Sequence, residues 1–396
     1  MRVAFVHSGY SRHLMSGIIR VETEIVLALR ARGHVAEIME WPEDQSKALV
    51  SQQYFRIVRT ASMVYRAVRD FIVAGQYDLV VFMGVGYPET RALPWLRRET
   101  KAKFVIIQNG WTMHSAPSRF LITSYMQTVG HLLLADVDAL VAVSGYVKSH
   151  LATYTDPDRI QVIYPGVDTQ RFTPVLPTKS ATQRSSDEQR VRARFGITER
   201  HILMANGKLA AHKNISTIIR ALALIPDAAL LLVGSGSVTR EKMYRELAVE
   251  QGVSKRLHFV GTVPNEKLPE LYRAASFFVH AARSEALGIV LLEALASGVP
   301  VVAPDVGGVS EAVISGFNGT LYADPRDHQQ LAASVIALLS DPERRALYAR
   351  NGRAYVTARF DWRVIMPQYV ELFSRVLKQP SQNDLQPSEG LFGAFA

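Results

Sequence analysis

Residues 277–311 constrain the fold of this chain more than any other part of the sequence. The short apolar run Phe277–His280 predicts a buried strand, and the helical apolar pattern of Ile289–Ala296 follows after a loop. A glycine and a proline then end the helix, and Val299–Ala303 predicts a second buried strand. A strand, a helix and a second strand in this order form a β-α-β unit, which belongs to a parallel sheet.

Two glutamates flank the start of this predicted helix, with Glu285 in the loop and Glu293 eight residues further on. Ligands of parallel sheets bind beyond the carboxyl ends of the strands, and a helix N-terminus there favours anions. A glycosidase would need its two carboxyl groups roughly 5–9.5 Å apart. Because eight residues of helix rise about 12 Å, that interpretation requires Glu285 to fold back from its loop. Two solvated carboxylates are the simpler alternative.

The residues around these glutamates resemble the retaining nucleotide-sugar glycosyltransferases of family GT4. The matching positions are Glu285, Glu293, Gly298–Ala303, Gly307, Gly308 and Glu311. A second family-like string runs from Pro165 to Pro174. The resemblance covers most of the chain, from the first strand to the last helix. It implies the GT-B fold, in which two Rossmann-like doubly wound domains face each other across a cleft.

Length and pattern favour two α/β domains independently of the resemblance. A chain of 396 residues with 48% apolar content can fill two cores. Apolar runs predict strands at 3–6, 34–39, 79–83, 104–107, 139–143, 161–164, 201–205, 229–233, 257–260, 277–280, 301–303 and 320–322. We predict an N-terminal domain at 1–172, an exposed linker at 173–192, a C-terminal domain at 193–360, a helix at 361–378 and a disordered tail at 379–396. The resemblance implies that the N-terminal domain binds the acceptor, that the C-terminal domain binds the nucleotide sugar, and that the helix packs back towards the N-terminal domain.

The resemblance assigns the donor-binding residues. It implies that Glu285 contacts the donor sugar and that Glu293 binds the ribose hydroxyls, because a carboxylate can accept two hydrogen bonds from a diol. Lys208 and Lys213 follow the first strand of the second domain and would neutralise the diphosphate. The backbone at the helix start and two glycine loops complete the set, which is Ala286, Leu287, Gly288, Ile289, Gly17 and Gly234. The family usually has Gly-Phe-Gly where this chain has Ala286-Leu287-Gly288, a departure that concerns sugar specificity.

The catalytic residues that the resemblance implies are Glu285, Lys208, Lys213 and Asn109. Asn109 follows a predicted strand where the family often has a histidine near the reacting carbon, and His114 comes shortly after. An amide can form hydrogen bonds but cannot act as a general base, and a plain polar turn is an equal alternative. The implied mechanism is front-face, so the departing phosphate oxygen takes the acceptor proton and no enzymic nucleophile is required.

We expect no metal and no other cofactor. The chain has no cysteine, and its 11 histidines show no zinc-like spacing. Asp136 and Asp138 resemble the Asp-x-Asp metal motif of another glycosyltransferase fold, but Asp138 leads directly into a predicted strand. The donor expected first is a UDP-sugar and next a GDP-sugar.

Nucleic acid, an anionic membrane surface or phosphate-bearing ligands could each explain the net charge of +9. No nucleic-acid motif is present. The predicted helix at 52–74 has a basic face, formed by Arg56, Arg59, Arg66 and Arg69, and nearby cations are Arg97, Arg98, Lys101 and Lys103. A basic face with aromatic flanks is typical of a membrane surface helix, although a solvated arginine face fits as well. We expect a glycan or lipid-linked acceptor and a cytoplasmic protein, peripheral at the inner face of the membrane, because no signal peptide or membrane span is evident.

Two other functions stay open. Non-hydrolysing sugar-nucleotide epimerases share the GT-B fold, and a non-catalytic sugar-nucleotide-binding protein would tolerate the departures at Asn109 and at Ala286-Leu287. Product analysis with and without an acceptor separates both from a transferase.

Overall fold

The computed structural model describes residues 1–7, 17–39, 57–110, 116–174 and 186–379. The chain divides into two compact units. The first comprises residues 1–164 and the chain from Ile365 onward, and the second comprises residues 165–364. The boundaries expected from the sequence, at 172 and 361, both fall inside the second unit.

The first unit is built on a parallel six-stranded sheet. Its strands are β1 (Arg2–Val6), β2 (Val35–Ile38), β3 (Leu79–Phe82), β4 (Lys103–Gln108), β5 (Ala139–Ala142) and β6 (Ile160–Val162). Their spatial order is β2-β1-β3-β4-β5-β6. The helices are α1 (Gly17–Ala31), α2 (Ile57–Gly75), α3 (Leu93–Glu99), α4 (Ala116–Tyr125), α5 (His131–Ala135) and α6 (Gly145–Leu151).

The second unit repeats the architecture with another parallel six-stranded sheet. Its strands are β7 (His201–Asn206), β8 (Ala228–Val233), β9 (Leu257–Gly261), β10 (Phe277–Val279), β11 (Val301–Pro304) and β12 (Gly319–Tyr322), in the order β12-β11-β10-β7-β8-β9. Its helices are α7 (Ser186–Phe195), α8 (Ile215–Leu224), α9 (Val238–Glu250), α10 (Leu268–Ala274), α11 (Ile289–Ala296), α12 (Val309–Ala312), α13 (His328–Leu339) and α14 (Pro342–Arg359). A last helix, α15 (Trp362–Lys378), begins here and continues into the first unit.

The strands form where the sequence has continuous apolar runs, because parallel strands are covered by helices on both faces. Every residue of β3, β4, β8, β10 and β11 is buried. All twelve predicted strands are confirmed, each to within two residues at either end. None of the described helices is long and apolar enough to cross a membrane.

Each sheet reverses its strand order beside its first strand. In the second sheet, β7 lies between β8 and β10. Ligands of open α/β sheets bind beyond the carboxyl ends of the strands at such a reversal. The residues that follow Asn206 and Val279 therefore mark the expected position of a site in the second unit.

The predicted linker at 173–192 ends in helix α7, so for residues 186–192 the linker prediction does not hold. Residues 175–185 lie outside the described part of the chain. Helix α7 has little apolar periodicity and is stabilised by charges instead. Arg192 pairs with Glu188 one turn away, at 2.8 Å, and Asp187 pairs with Arg273 of α10.

One arginine of α14 fastens the chain between β6 and α7. Nη1 of Arg353 donates to the main-chain oxygens of Thr169 (2.8 Å), Phe172 (2.7 Å) and Ala296 (2.9 Å). Because Ala296 is the last residue of α11, the guanidinium also places a positive charge at the negative end of that helix. The hydroxyl of Thr169 donates to the carboxylate of Asp361, which is a second contact that holds the same segment.

We predict that Arg353→Met lowers the free energy of unfolding by roughly 2–3 kcal/mol, because three carbonyl groups lose a charged donor. Urea unfolding followed by circular dichroism measures the change. Arg350→Met is the matched control, since Arg350 is exposed on the same helix. Equal losses in the two variants would show that the three hydrogen bonds contribute nothing.

Candidate functional site

Two loops cover the carboxyl edge of the second sheet where β7 and β10 lie side by side. The loop after β7 contains Gly207, Lys208 and a 3₁₀ turn at Ala211–Lys213, and the loop after β10 leads from His280 to the start of α11. A small concavity between them is lined by Ala205, Asn206, Gly207, Lys208, Lys213, Ile215, Ile218, Val279 and His280. The predicted lysines and the first predicted glutamate thus lie on one edge of one sheet.

Glu285 is held by two side chains that contact the same carboxylate oxygen. Nζ of Lys213 lies 2.5 Å from Oε2 of Glu285, and Nε2 of His280 lies 3.4 Å from it. All three side chains are largely withdrawn from solvent, with 20% of Lys213, 15% of Glu285 and 5% of His280 exposed. Lys213 and Glu285, both predicted from the sequence as site residues, therefore form an ion pair that His280 also contacts.

The electrostatics of this group fix its protonation. Burial would raise the pKa of Glu285, but the charge of Lys213 and the contact with His280 outweigh it and hold the pKa well below its ordinary value of 4.5. Burial, with Lys213 nearby, lowers the pKa of His280 below its usual 6.5, against the opposing effect of Glu285. At neutral pH the group is an ammonium, a carboxylate and a neutral imidazole.

Glu293 lies in α11 and is fully buried. The hydroxyl of Tyr272 donates to its Oε2 at 2.8 Å, and Nδ2 of Asn206 donates to that hydroxyl at 3.1 Å. The second predicted glutamate is thus connected, through a tyrosine of α10, to the last residue of β7.

The glycines of this region hold the loop that carries Glu285. A Cβ at Gly307 would lie 2.1 Å from the carbonyl oxygen of Glu285, and a Cβ at Gly308 would lie 2.1 Å from that of Ala286. The amide of Gly308 donates to the Glu285 oxygen at 2.9 Å. Similarly, a Cβ at Gly234 would lie 2.0 Å from the oxygen of Gly207, so this glycine lets the loops after β7 and β8 touch.

The other donor-binding predictions of the second unit fall at the start of α11 or on the same edge of the sheet. Gly288 precedes α11 with a φ of +90°, and no side chain among the described residues caps the helix. Ile289 is the first helical residue, Leu287 is buried beneath it, and Ala286 is half-buried. Lys208 is exposed beside the concavity. An uncapped helix start next to an exposed lysine is a favourable place for a phosphate group.

Two predicted residues belong to the first unit. Asn109 follows β4, and its amide donates to the main-chain oxygens of Ile107 (3.2 Å) and Met83 (3.5 Å). Gly17 is the first residue of α1 and is exposed. His114 lies outside the described residues. Asn109 therefore has a role in holding its own strand end, and its predicted role in catalysis stays a prediction.

Asp136 and Asp138 take part in a structural ion-pair cluster. Arg97 lies 3.1 Å from Asp136 and 3.0 Å from Asp138, and Lys103 lies 3.5 Å from Asp138. The main-chain amide of Phe104 also donates to Asp138 at 2.8 Å. Elsewhere in the described ranges, too, no group of three acidic, histidine or cysteine side chains is arranged to hold a metal.

The same cluster corrects the expected basic surface. Arg97 and Lys103, two of the cations expected there, are both buried against the two aspartates. On α2, Arg69 pairs with Glu99, and Arg56 and the side chain of Arg59 lie outside the described part. Arg66, Arg98 and Lys101 are exposed in this region of the described chain.

Sequence reasoning missed His280, Tyr272 and Asn206 as site residues. His280 and Asn206 end predicted strands at the ligand edge of the sheet, so their polar character at that position was an available signal. Tyr272 gave no such signal, because a tyrosine within an apolar helical pattern is typical of a core position.

Comparison with known proteins shows the family of this chain. A family model described as "Glycosyl transferases group 1" matches residues 187–355, and one described as "Glycosyltransferase Family 4" matches residues 15–171. The chain is 30% identical to a GDP-mannose-dependent alpha-(1-6)-phosphatidylinositol monomannoside mannosyltransferase of Mycolicibacterium smegmatis, over 76% of this chain and 78% of that protein. It is 33% identical to a D-inositol 3-phosphate glycosyltransferase of Xylanimonas cellulosilytica, over 62% of this chain and 59% of that protein.

Solved structures show the same fold at low identity. Sucrose-phosphate synthase from Thermosynechococcus elongatus superposes with a TM-score of 0.80 at 22% identity, covering 95% of this chain and 98% of that one. Anabaena Alr3699/HepE in complex with UDP superposes with a TM-score of 0.74 at 22% identity, covering 95% and 100%. At this identity the likeness concerns the fold alone.

We predict that Glu285→Gln lowers the melting temperature at neutral pH, because Lys213 loses its counter-ion. A fully buried pair would lose ~3–5 kcal/mol on losing one partner, and partial exposure reduces this to roughly 2 kcal/mol. The pKa of Glu285 is lower in the folded than in the unfolded protein, so its ionised form stabilises the fold fully above pH 4.5 and less as the pH falls. The difference in melting temperature between wild type and variant is therefore largest above pH 4.5 and narrows below it.

Thermal unfolding between neutral and acid pH measures this gap. Glu266→Gln is the control, because Glu266 is an exposed carboxylate of the same unit. A gap that is constant with pH would contradict the ionised pair.

Proposed function

This chain belongs to glycosyltransferase family 4 and has the GT-B fold, and from that premise we propose that it transfers a sugar from a nucleoside-diphosphate sugar to an acceptor hydroxyl with retention at the anomeric carbon. That the chain is a glycosyltransferase follows from its family. The donor and the stereochemistry are the proposal. The observation that carries it is the Lys213–Glu285 pair beside an uncapped helix start, at the strand-order reversal of the second sheet.

In this proposal each part of the site binds one part of the donor. Lys208 and Lys213 neutralise the diphosphate together with the main-chain amides at the start of α11. Glu285 accepts hydrogen bonds from the sugar hydroxyls, and Glu293 accepts them from the ribose. The arrangement suits an anionic leaving group, because fixed positive charges stabilise it most as the bond breaks.

The reaction proceeds on one face of the sugar. The bond between the anomeric carbon and the phosphate oxygen breaks, the acceptor oxygen bonds to the same face, and the hydroxyl proton passes to the departing phosphate oxygen. Glu285 is ionised at neutral pH, because its pKa lies far below 4.5. It therefore cannot serve as the acid of a glycosidase, which has to be protonated.

We place a GDP-sugar, and GDP-mannose first, ahead of the UDP-sugar that the sequence favoured. The relative from M. smegmatis is named as GDP-mannose-dependent, at 30% identity over three quarters of the chain. The complex of UDP is with a protein only 22% identical. An inositol-containing acceptor, lipid-linked or soluble, is proposed on the same ground, since the two relatives are named for phosphatidylinositol monomannoside and inositol phosphate.

The function is tested by incubating the protein with GDP-mannose or UDP-glucose and an inositol-containing acceptor, and by analysing the products. A new glycoside that retains the donor's anomeric configuration supports the proposal. An altered sugar nucleotide formed without acceptor would indicate the epimerase, and binding without any product would indicate the non-catalytic alternative.

We predict that Lys208→Ala, Lys213→Ala and Glu293→Gln each weaken nucleoside-diphosphate binding about tenfold or more, because each loses a contact with a charged group worth ~1.5–3 kcal/mol. Isothermal titration calorimetry with GDP and UDP measures the affinity. Lys242→Ala is the matched control, since Lys242 is an exposed lysine on α9. Wild-type affinity in all three site variants would refute the site.

We predict that transfer needs no divalent cation, because two lysines and the start of α11 supply the positive charge. The measurement is release of nucleoside diphosphate with and without EDTA. Activity that EDTA abolishes and magnesium restores would contradict this and reopen the search for a metal site.

We propose that a lipid-linked acceptor brings the protein to the anionic inner face of a membrane, through Arg66, Arg98 and Lys101. We predict that the triple change of these residues to Gln reduces co-sedimentation with anionic vesicles at low salt, because each cation contributes about 1 kcal/mol near such a surface. The control with equal charge loss replaces Lys242, Lys255 and Lys267, which are exposed in the second unit. Equal effects of the two triple changes would leave only a non-specific attraction.

A further inference from the structure

The main chain of Glu285 is fixed by its neighbours, but the orientation of its carboxylate depends on contacts with other side chains. Gly307 and Gly308 pack on the peptide of Glu285, and the Gly308 amide donates to its carbonyl oxygen. These contacts leave the orientation of the carboxylate open. Only Lys213 and His280, among the described residues, contact its oxygens within ion-pair distance.

Both contacts converge on Oε2. Lys213 alone would hold that oxygen at one point and would allow the carboxylate to rotate about it, because an ammonium is a compact charge on a flexible stem. Nε2 of His280 lies 3.4 Å from the same oxygen, is buried and has no hydrogen bond to the described residues, so Oε2 is the acceptor within its reach. Oε1 receives no hydrogen bond from the residues that the structure describes, so it is the oxygen left for a ligand.

The ring of His280 is suited to this task because its backbone is tied on both sides. Its amide donates to Val302 of β11 at 2.9 Å, and its carbonyl oxygen accepts from the hydroxyl of Tyr322 at 3.0 Å. The ring lies nearly parallel to that of Phe278, with an interplanar angle of 22°. The backbone of His280 is therefore fixed to the sheet edge by contacts that do not involve Glu285.

We propose that His280 is a positioning residue: its neutral imidazole donates from Nε2–H to Oε2 of Glu285, shares that oxygen with Lys213, and so presents Oε1 to a hydroxyl of the donor sugar. The inference rests on the proposed function, since it assigns Glu285 to the sugar. A protonated ring would instead place a second positive charge beside Lys213, which burial disfavours. The proposed role therefore requires that the ring of His280 stay neutral and that its Nε2–H group point at Oε2 of Glu285.

The test separates sugar binding from phosphate binding. His280→Leu keeps an apolar side chain at the sheet edge but removes the donor, and His280→Gln offers an amide N–H near the place of Nε2. We expect His280→Leu to weaken binding of GDP-mannose, or of UDP-glucose if that is the donor, by about tenfold. The affinity for GDP or UDP should change by less than about twofold, and His280→Gln should recover most of the loss.

His258→Leu is the matched control, because His258 is also partly buried in this sheet, with its pKa lowered by burial, but lies on the far edge strand β9. It should leave both affinities unchanged. Equal losses for sugar nucleotide and nucleoside diphosphate in His280→Leu would reduce His280 to a packing role. No loss, or no recovery in His280→Gln, would overturn the proposal as well.

A measurement on the wild-type protein decides the question if His280→Leu does not fold. Nitrogen-15 NMR of histidine-labelled protein, assigned with His280→Gln, reports which ring nitrogen of His280 carries the proton. We expect the Nε2–H tautomer throughout the neutral pH range, whereas an Nδ1–H tautomer or an imidazolium would contradict the proposal. If neither GDP nor UDP binds the wild type, the proposed function fails, and the tautomer still shows whether His280 directs Glu285.

Discussion

The ion pair between Lys213 and Glu285 is the interaction on which the rest of the site depends. A charge that is largely removed from water is tolerated only when an opposite charge is close. Each of these two residues therefore stabilises the other, and the pair joins the loop after β7 to the loop after β10. Because β7 and β10 are neighbours at the strand-order reversal, the topology of the sheet places the two charges together.

Much of the fold could be predicted from the sequence, because a buried parallel strand needs a continuous apolar run. The proximity of Lys213 and Glu285 was also accessible, since both follow strands on one edge of one sheet. Helix α7 was missed because ion pairs such as Arg192–Glu188 stabilise it, and charges without an apolar period suggest a linker. Tyr272 was missed because a buried tyrosine is typical of a core position, whereas in the structure its hydroxyl forms hydrogen bonds with Glu293 and Asn206.

Polar residues with motif-like spacing in the first unit have architectural roles in the structure. Asp138 receives hydrogen bonds or ion pairs from Arg97, Lys103 and the amide of Phe104, and so joins the starts of β4 and β5 to α3. The positive charges of Arg97 and Lys103, which the sequence suggests for an anionic surface, are neutralised by this pairing. A count of the cations in the sequence therefore overstates the number that a partner meets, although the net charge is unchanged because each buried pair cancels.

The two glycines at 307 and 308 have a consequence for how such a site diversifies. Both glycines pack against the main-chain carbonyl groups of Glu285 and Ala286, and a main-chain carbonyl is the same in every amino acid. The contacts that fix the main chain at Glu285 therefore do not depend on which side chain residue 286 carries. Under the proposed function, replacement of that side chain would alter which sugar is selected and would leave the main-chain geometry at Glu285 unchanged. Conversely, a graft of residues 284–288 into another scaffold would fail without the glycine pair, which is encoded some twenty positions away.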